Sequence, residues 1–339
     1  MKFGIGQPLR RLEDNKFLTG NGLYTDDINL NDQVYMYIFR SPHASAKIIN
    51  INYKKAKEYK GVLTIIDHQT IKKMNINPMY PGFKVKNKDG SAMVDTFRNI
   101  LSDGRVRYVG EPILAIIAET FEIAQEAADF VDIEYEELES TTNLNIAIKP
   151  NAPVVRDELA NNICFDWELG DPISTERAFK GATHITTIKL VNNRLIPNPI
   201  ECRSAIGQYN TESSTYSLHC SSQGVHSLKR KLSIIFNINE NKINVFTPDV
   251  GGGFGMKIFN YPEYVLTLAA AKITKKTVKW TAKRTESFLS DIHGRDHISE
   301  AKLGFDKQNK IVALQVKTFA NMGAYISDFG VFIPTYAGT

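Results

Sequence analysis

Four of the five residues in Gly251-Gly252-Gly253-Phe254-Gly255 are glycine. Glycine at that density permits positive φ and lets backbone N–H groups approach an anion or a cofactor with no Cβ in the way. A β-bulge or a tight turn would use the same residues, so spacing alone leaves both readings open. Two phosphate motifs are excluded. A Walker A loop needs Gly-Lys-Ser/Thr, whereas Met256 and Lys257 follow the last glycine. A dinucleotide fingerprint beginning at Gly251 needs glycine or alanine at 256, where methionine stands.

Other residue types invite chemistry with less force. His293-Gly-Arg-Asp-His297 spaces two imidazoles as a helical metal pair would, but Gly294 weakens such a helix and no third ligand is evident. Hydrogen-bonded or surface histidines are the plainer reading. Arg284-Thr-Glu286 and Arg295-Asp296 lie beside apolar stretches and read as structural ion pairs. Asn193-Arg-Leu-Ile-Pro-Asn-Pro-Ile-Glu201-Cys-Arg203 sets two prolines against a Glu/Arg pair, a rigid loop of unstated purpose. Gln223 precedes an amphipathic stretch, and its amide could bind a polar cofactor atom or cap the helix. Cys164, Cys202 and Cys220 are scattered, with no Cys-x-x-Cys, which excludes a zinc ribbon or an iron–sulfur cradle built from this chain alone.

The elements that must hold these residues show in the periodicity. Val34–Arg40, Ala46–Asn52 and Val62–Asp67 read as strands, with a solvated helix over Lys54–Lys60 between the last two. Residues 70–105 are polar and broken by proline and glycine, a long surface excursion. Ile113–Ala118 is a continuous apolar run typical of a strand buried on both faces. Thr120 then caps a helix carrying Ile123, Ala124, Ala127, Ala128 and Val131, and Val131–Leu138 alternates like a half-buried strand. Strand, helix and strand in succession suggest an α/β module, closed by a linker at Glu139–Asn151 with a boundary near 145. Beyond it lie strands at His184–Leu190, Ser214–Cys220, Ile243–Pro248, Thr277–Trp280, Ala301–Phe305 and Ile311–Val316. Helices are expected over 223–236 and from Pro262.

The 339 residues are ample for two domains and a large core at 42% hydrophobic content. A net charge of +4, dispersed along the chain, does not suggest nucleic-acid binding. No window approaches a membrane span and the N-terminus shows no apolar signal region, so the cytoplasm is the expected location.

Taken together, an ordered set of segments resembles one family: the molybdopterin-binding large subunits of the xanthine dehydrogenase, aldehyde oxidase and aerobic carbon monoxide dehydrogenase group. The segments are Gly6-Gln-Pro-Leu-Arg-Arg-Leu-Glu-Asp, Leu18-Thr-Gly-Asn-Gly-Leu-Tyr-Thr-Asp-Asp, Phe39-Arg-Ser-Pro-His-Ala and Val106-Arg-Tyr-Val-Gly-Glu-Pro. Pro199-Ile-Glu-Cys-Arg, Ser221-Ser-Gln, Asp249-Val-Gly-Gly-Gly-Phe-Gly, Trp280-Thr-Ala-Lys-Arg-Thr-Glu, His293-Gly-Arg-Asp-His and Asn321-Met-Gly-Ala-Tyr follow in the same order.

The resemblance implies an α+β chain: an arm over 1–17, an α/β hammerhead domain over 18–140, and an incomplete molybdopterin-binding domain over 150–339. It implies a molybdenum–molybdopterin cofactor, in the cytosine dinucleotide form. It also implies a small iron–sulfur subunit and a medium FAD-binding subunit as partners in a dimer of heterotrimers, with no role for nucleic acid. The expected reaction is oxidation of carbon monoxide or an aldehyde-like compound with water as oxygen source, electrons passing to the iron–sulfur and flavin partners. Copper enters if the parent oxidises carbon monoxide. By position, Gln223, Gly252, Gly253, Phe254 and Gly255 are the cofactor-binding residues. Ile258, flanked by Lys257 and Phe259, stands where purine-oxidising relatives carry a substrate-binding glutamate, which argues against a purine substrate. The catalytic glutamate of the family would lie beyond Thr339, so no catalytic residue and no direct metal ligand is expected within an N-terminal fragment of this kind. A truncated relative acting in binding or assembly is the alternative.

Overall fold

The structure is a computed structural model and describes residues 4–337. The outermost residues of the expected N-terminal arm (1–3) and of the expected cofactor domain (338–339) lie outside the described residues. The strands are β1 (Gln33–Arg40), β2 (Ala46–Asn52), β3 (Val62–Ile66), β4 (Arg105–Val106), β5 (Pro112–Ala118), β6 (Asp132–Glu137) and β7 (His184–Asn192), followed by β8 (Ser204–Asn210), β9 (Thr215–Cys220), β10 (Ile243–Phe246), β11 (Thr277–Thr281), β12 (His297–Phe305) and β13 (Ile311–Ala320). They form a seven-stranded sheet ordered β10-β9-β8-β11-β1-β5-β3 and two three-stranded sheets, β13-β12-β7 and β4-β2-β6. The class is mixed helix and sheet, as α+β implies.

The apolar run of β5 explains its place. All seven residues are buried, and from Leu114 to Ala118 they divide by strand alternation between two cores. Ala115 and Ile117 join a large cluster that holds Val34, Met36 and Ile38 of β1, together with Tyr264, Val265 and Leu268 of the helix Pro262–Thr274. Leu114, Ile116 and Ala118 face a second cluster with Ala124, Ala127 and Ala128 of the helix Phe121–Ala128. Thr120 starts that helix as its cap, accepting from the Ile123 N–H at 3.2 Å. Pro262 opens its own helix at the first turn, and every residue from Pro262 to Ala271 is buried, as a helix apolar on most of its circumference requires.

Three expectations need correction. The strand–helix–strand succession at 112–137 does not lie in one sheet: β5 sits in the large sheet and β6 pairs antiparallel with β2 in another, although both pack on the core around the helix Phe121–Ala128. A β-α-β unit lies elsewhere, where β9, the helix Val225–Phe236 and β10 are consecutive and β9 pairs parallel with β10. The stretch 70–105 is not merely a surface excursion, because Val85, Met93, Ile100, Leu101 and Arg98 are buried along it. Finally, the linker does not separate two sheets: β1 pairs parallel with β11 through Gln33–Tyr35 and Thr277–Lys279, so strands from both sides of residue 145 share one sheet. β8, absent from the sequence reading, joins β11 to β9 in that sheet.

Candidate functional site

Because β9 and β10 run parallel, their carboxyl ends lie side by side, and the segments that follow them emerge together. Gln223 follows β9 and the glycine loop follows β10, so both leave the sheet at the same end of this parallel pair. Thr247 Oγ1 donates to the Cys220 carbonyl at 3.0 Å, tying the two exits.

The loop conformation depends on its glycines. Gly252 has φ +104°, in the left-handed region, and Phe254 lies at φ +46° with its ring folded back over Gly252. Gly253 is required for space. A Cβ there would lie 2.6 Å from Gln223 Cδ and 2.7 Å from its Oε1. The Gln223 side chain therefore rests on bare backbone. The N–H groups of Gly252, Gly253, Phe254 and Gly255 meet no acceptor among the described residues, while Phe254 is 73% exposed. Four successive unpaired donors, three of them on glycines, leave backbone N–H groups open to an anion.

Beneath the loop is a buried ion pair. The Lys257 side chain is fully buried, and its Nζ donates to Glu201 Oε2 at 2.7 Å and to the Glu201 carbonyl at 3.0 Å. Burial pushes the Lys257 pKa down against the pull of Glu201. Glu201 Oε2 also accepts from the Gly251 N–H at 2.7 Å, while the Glu201 N–H donates to the Gly251 carbonyl at 3.2 Å. The backbone of Lys257 reaches the other way: its N–H donates to Gln223 Oε1 at 3.1 Å and its carbonyl accepts from the Gln223 N–H at 3.0 Å. One lysine thus joins three segments.

The Glu/Arg pair read from Pro199–Arg203 is not a pair. Glu201 turns to Lys257. Arg203, fully buried, reaches Glu263 at 3.0 Å and also bonds Asp291, while its guanidinium lies 3.7 Å from the Tyr261 ring centroid. Arg40 bridges Glu263 and Glu286, each at 2.7 Å. Burial alone would raise the Glu263 pKa, but Arg203 and Arg40 overcome it and hold the carboxyl well below the usual range. This network braces the sheet near the site. Asp296 pairs with Arg194, whereas Arg284 bonds Asn198 and the Ile200 carbonyl.

His293 and His297 are not on a helix. His293 lies in a loop with Nε2 3.1 Å from the Phe288 carbonyl, and His297 opens β12. Among the described residues no cluster of three or more His, Cys, Asp or Glu side chains could hold a metal ion. The structure sets Gln223 against Gly253 of the glycine loop. Lys257 and Glu201, the pair on which that arrangement rests, were not legible as partners, because 56 residues separate them.

Comparison with known proteins places the chain in a family. Residues 155–339 match the molybdopterin cofactor-binding domain, and residues 19–139 match the a/b hammerhead domain of aldehyde oxidase and xanthine dehydrogenase. The chain belongs to the molybdopterin-binding family of aldehyde oxidases and xanthine dehydrogenases. It is 27% identical to the carbon monoxide dehydrogenase large chain of Afipia carboxidovorans, over 95% of this chain and 40% of that one. It is 30% identical to the nicotine 6-hydroxylase large subunit of Paenarthrobacter nicotinovorans, over 95% of this chain and 38% of the relative. Its fold superposes on the reconstituted CO dehydrogenase from Oligotropha carboxidovorans with a TM-score of 0.84 at 27% identity, covering 93% of this chain and 39% of that one. The chain therefore spans about 40% of the length of these relatives. Among the described residues no helix is long and apolar enough to cross a membrane.

Proposed function

We propose that this chain supplies the cofactor-facing half-site of a molybdenum hydroxylase large subunit, with Gln223, Gly252, Gly253, Phe254 and Gly255 as the residues that meet the molybdenum–molybdopterin group. The observation that carries the reading is the row of four unpaired N–H groups beside Gln223, at the carboxyl ends of two parallel strands. The residues fit an anionic group: donors are abundant, acceptors are few, and the loop is bare enough for backbone to approach closely. When bound, the cofactor supplies two-electron oxidation with water as the source of oxygen. The chain's own part is to bind and orient. The loop offers backbone donors to negatively charged ligand atoms, and Gln223, its Oε1 held by Lys257, offers its Nε2 amide.

The parent reaction we infer is oxidation of carbon monoxide or an aldehyde-like compound, with electrons leaving to an iron–sulfur subunit and an FAD subunit in a dimer of heterotrimers in the cytoplasm. Names of relatives that the chain resembles, a carbon monoxide dehydrogenase and a nicotine hydroxylase, support the class. Ile258 supports a substrate other than a purine, since it lies beside Gly224 and offers no acceptor. We read the cofactor as the cytosine dinucleotide form, with copper only where the substrate is carbon monoxide, and keep 18–140 and 150–339 as the two evolutionary modules. Elemental analysis of the protein purified with its partners tests the reading. Stoichiometric molybdenum is expected, and a stable assembly devoid of molybdenum would contradict it.

A further inference from the structure

The underside of the loop carries more information than its open face. Lys257 stands immediately after Met256 in the turn that closes the glycine loop, and its ammonium is buried with Glu201 as its one ion-pair partner among the described residues, Asp291 being a more distant charge. Glu201 Oε2 receives both that ammonium and the Gly251 N–H, so one carboxylate oxygen fixes the loop's first residue and its closing turn together. Glu201 Oε1 is buried and has no partner among the described residues. A carboxylate in that setting depends on its one cation, because an uncompensated buried charge is strongly unfavourable. From the same lysine, the backbone N–H occupies Gln223 Oε1. An amide whose oxygen is held has only its NH2 left to present.

We propose that Lys257 is a positioning residue: its buried pair with Glu201 anchors the glycine loop and, through the Lys257 backbone, sets the Gln223 amide with its donor group toward the ligand. This rests on the reading of Gly252–Gly255 and Gln223 as the cofactor face. It goes further by making the polarity of that face depend on a charge pair that never touches the ligand. The loop's unpaired N–H groups and the Gln223 Nε2 are then all donors, a match to an anionic ligand that a reversed amide would spoil.

The test uses the full chain and three variants, Lys257→Met, Glu201→Gln and the double variant. Hydrogen exchange followed by mass spectrometry reads the peptides spanning 221–225 and 249–257 against those of the fully buried strand β5. Lys257→Met keeps side-chain bulk but strands the Glu201 carboxylate, so exchange in the two site peptides should quicken by about tenfold or more while β5 stays protected. Adding Glu201→Gln to Lys257→Met should restore protection to within about threefold, because a neutral amide can still accept from the Gly251 N–H without a buried uncompensated charge. Molybdenum per chain, measured in the assembly made with its partners, should fall in Lys257→Met and recover in the double variant. Unchanged site exchange in Lys257→Met, or a loss that the second substitution does not repair, would overturn the proposal, since simple packing predicts no rescue by a charge change. If the exchange pattern holds while the unsubstituted protein carries no molybdenum, the positioning role stands and the cofactor reading fails.

Discussion

A methyl group on Gly253 would lie 2.6 Å from Gln223 Cδ, closer than any real contact permits. The backbone of Gly253 is outside the positive-φ region, so alanine would fit the main chain and strike only the glutamine side chain. Gln223 is exposed, so its side chain can yield at the cost of the hydrogen bond that its Oε1 accepts from the Lys257 N–H, which makes the substitution a probe of the site more than of the fold. Gly253→Ala is expected to change the melting temperature by less than about 4 °C, the equivalent of under 1 kcal/mol or so. It should nevertheless deplete molybdenum in the purified assembly. Full molybdenum retention with Gln223 displaced would remove that residue from the site. The glycine loop and Gln223 could be read from the sequence because glycine density is a local property and the surrounding motif is distinctive. Lys257 could not be read in the same way. Its meaning comes from Glu201, and nothing local to either residue announces a buried pair between them.

At the level of elements, legibility followed the range of the interaction. The Thr120 cap, the apolar β5 run and the proline opening the helix at Pro262 are local signals, and each element formed where its residues indicate. Which strands pair is decided by tertiary packing, and there the local succession misled: β5 and β6 belong to different sheets. The turn into β5 carries a pH signature of its own. Glu111, buried between Gly110 and Pro112, accepts from the Arg107 N–H at 2.5 Å, yet burial outweighs that bond and raises its pKa to about 7. A raised carboxyl pKa means the folded state favours the protonated form. The contribution is complete below about pH 4.5 and is lost as pH rises through about 7. Glu111→Gln removes the titration while keeping an acceptor for Arg107. Its stability relative to the unsubstituted protein should increase between pH 5 and pH 8, by about 3 kcal/mol at most. Urea unfolding at the two pH values measures this, and parallel pH dependence in both proteins would mean Glu111 is charged throughout.

Across the whole molecule, the large sheet and its main core are composed from both sides of the linker. Val34, Met36, Ile38 and Ile66 share one cluster with Leu232, Tyr261, Val278 and Trp280. This follows from the parallel pairing of β1 with β11, which the order of motifs could not reveal because the partners lie more than 200 residues apart. The two modules should not fold independently despite their separate family matches. Residues 18–140 expressed alone would expose the β1 edge and the third of that core that they contribute, so no cooperative thermal transition is expected. Protease nicking of the intact chain within 139–151 should instead leave two pieces that co-elute. A cooperative transition in the isolated 18–140 piece would show that the shared sheet is dispensable. The site is tied to the N-terminal side as well, since Asp249, two residues before the glycine loop, accepts from the Leu23 N–H at 2.7 Å and donates its own N–H to the Leu23 carbonyl at 3.0 Å. The most direct measurement compares hydrogen exchange at the amides of Gly252–Gly255 in the cofactor-loaded assembly and after the cofactor has been stripped. Marked slowing of those four amides on loading, with little change in the three-stranded sheet of β7, β12 and β13, is the expected result. Equal exchange in both states would contradict the placement of this loop against the cofactor.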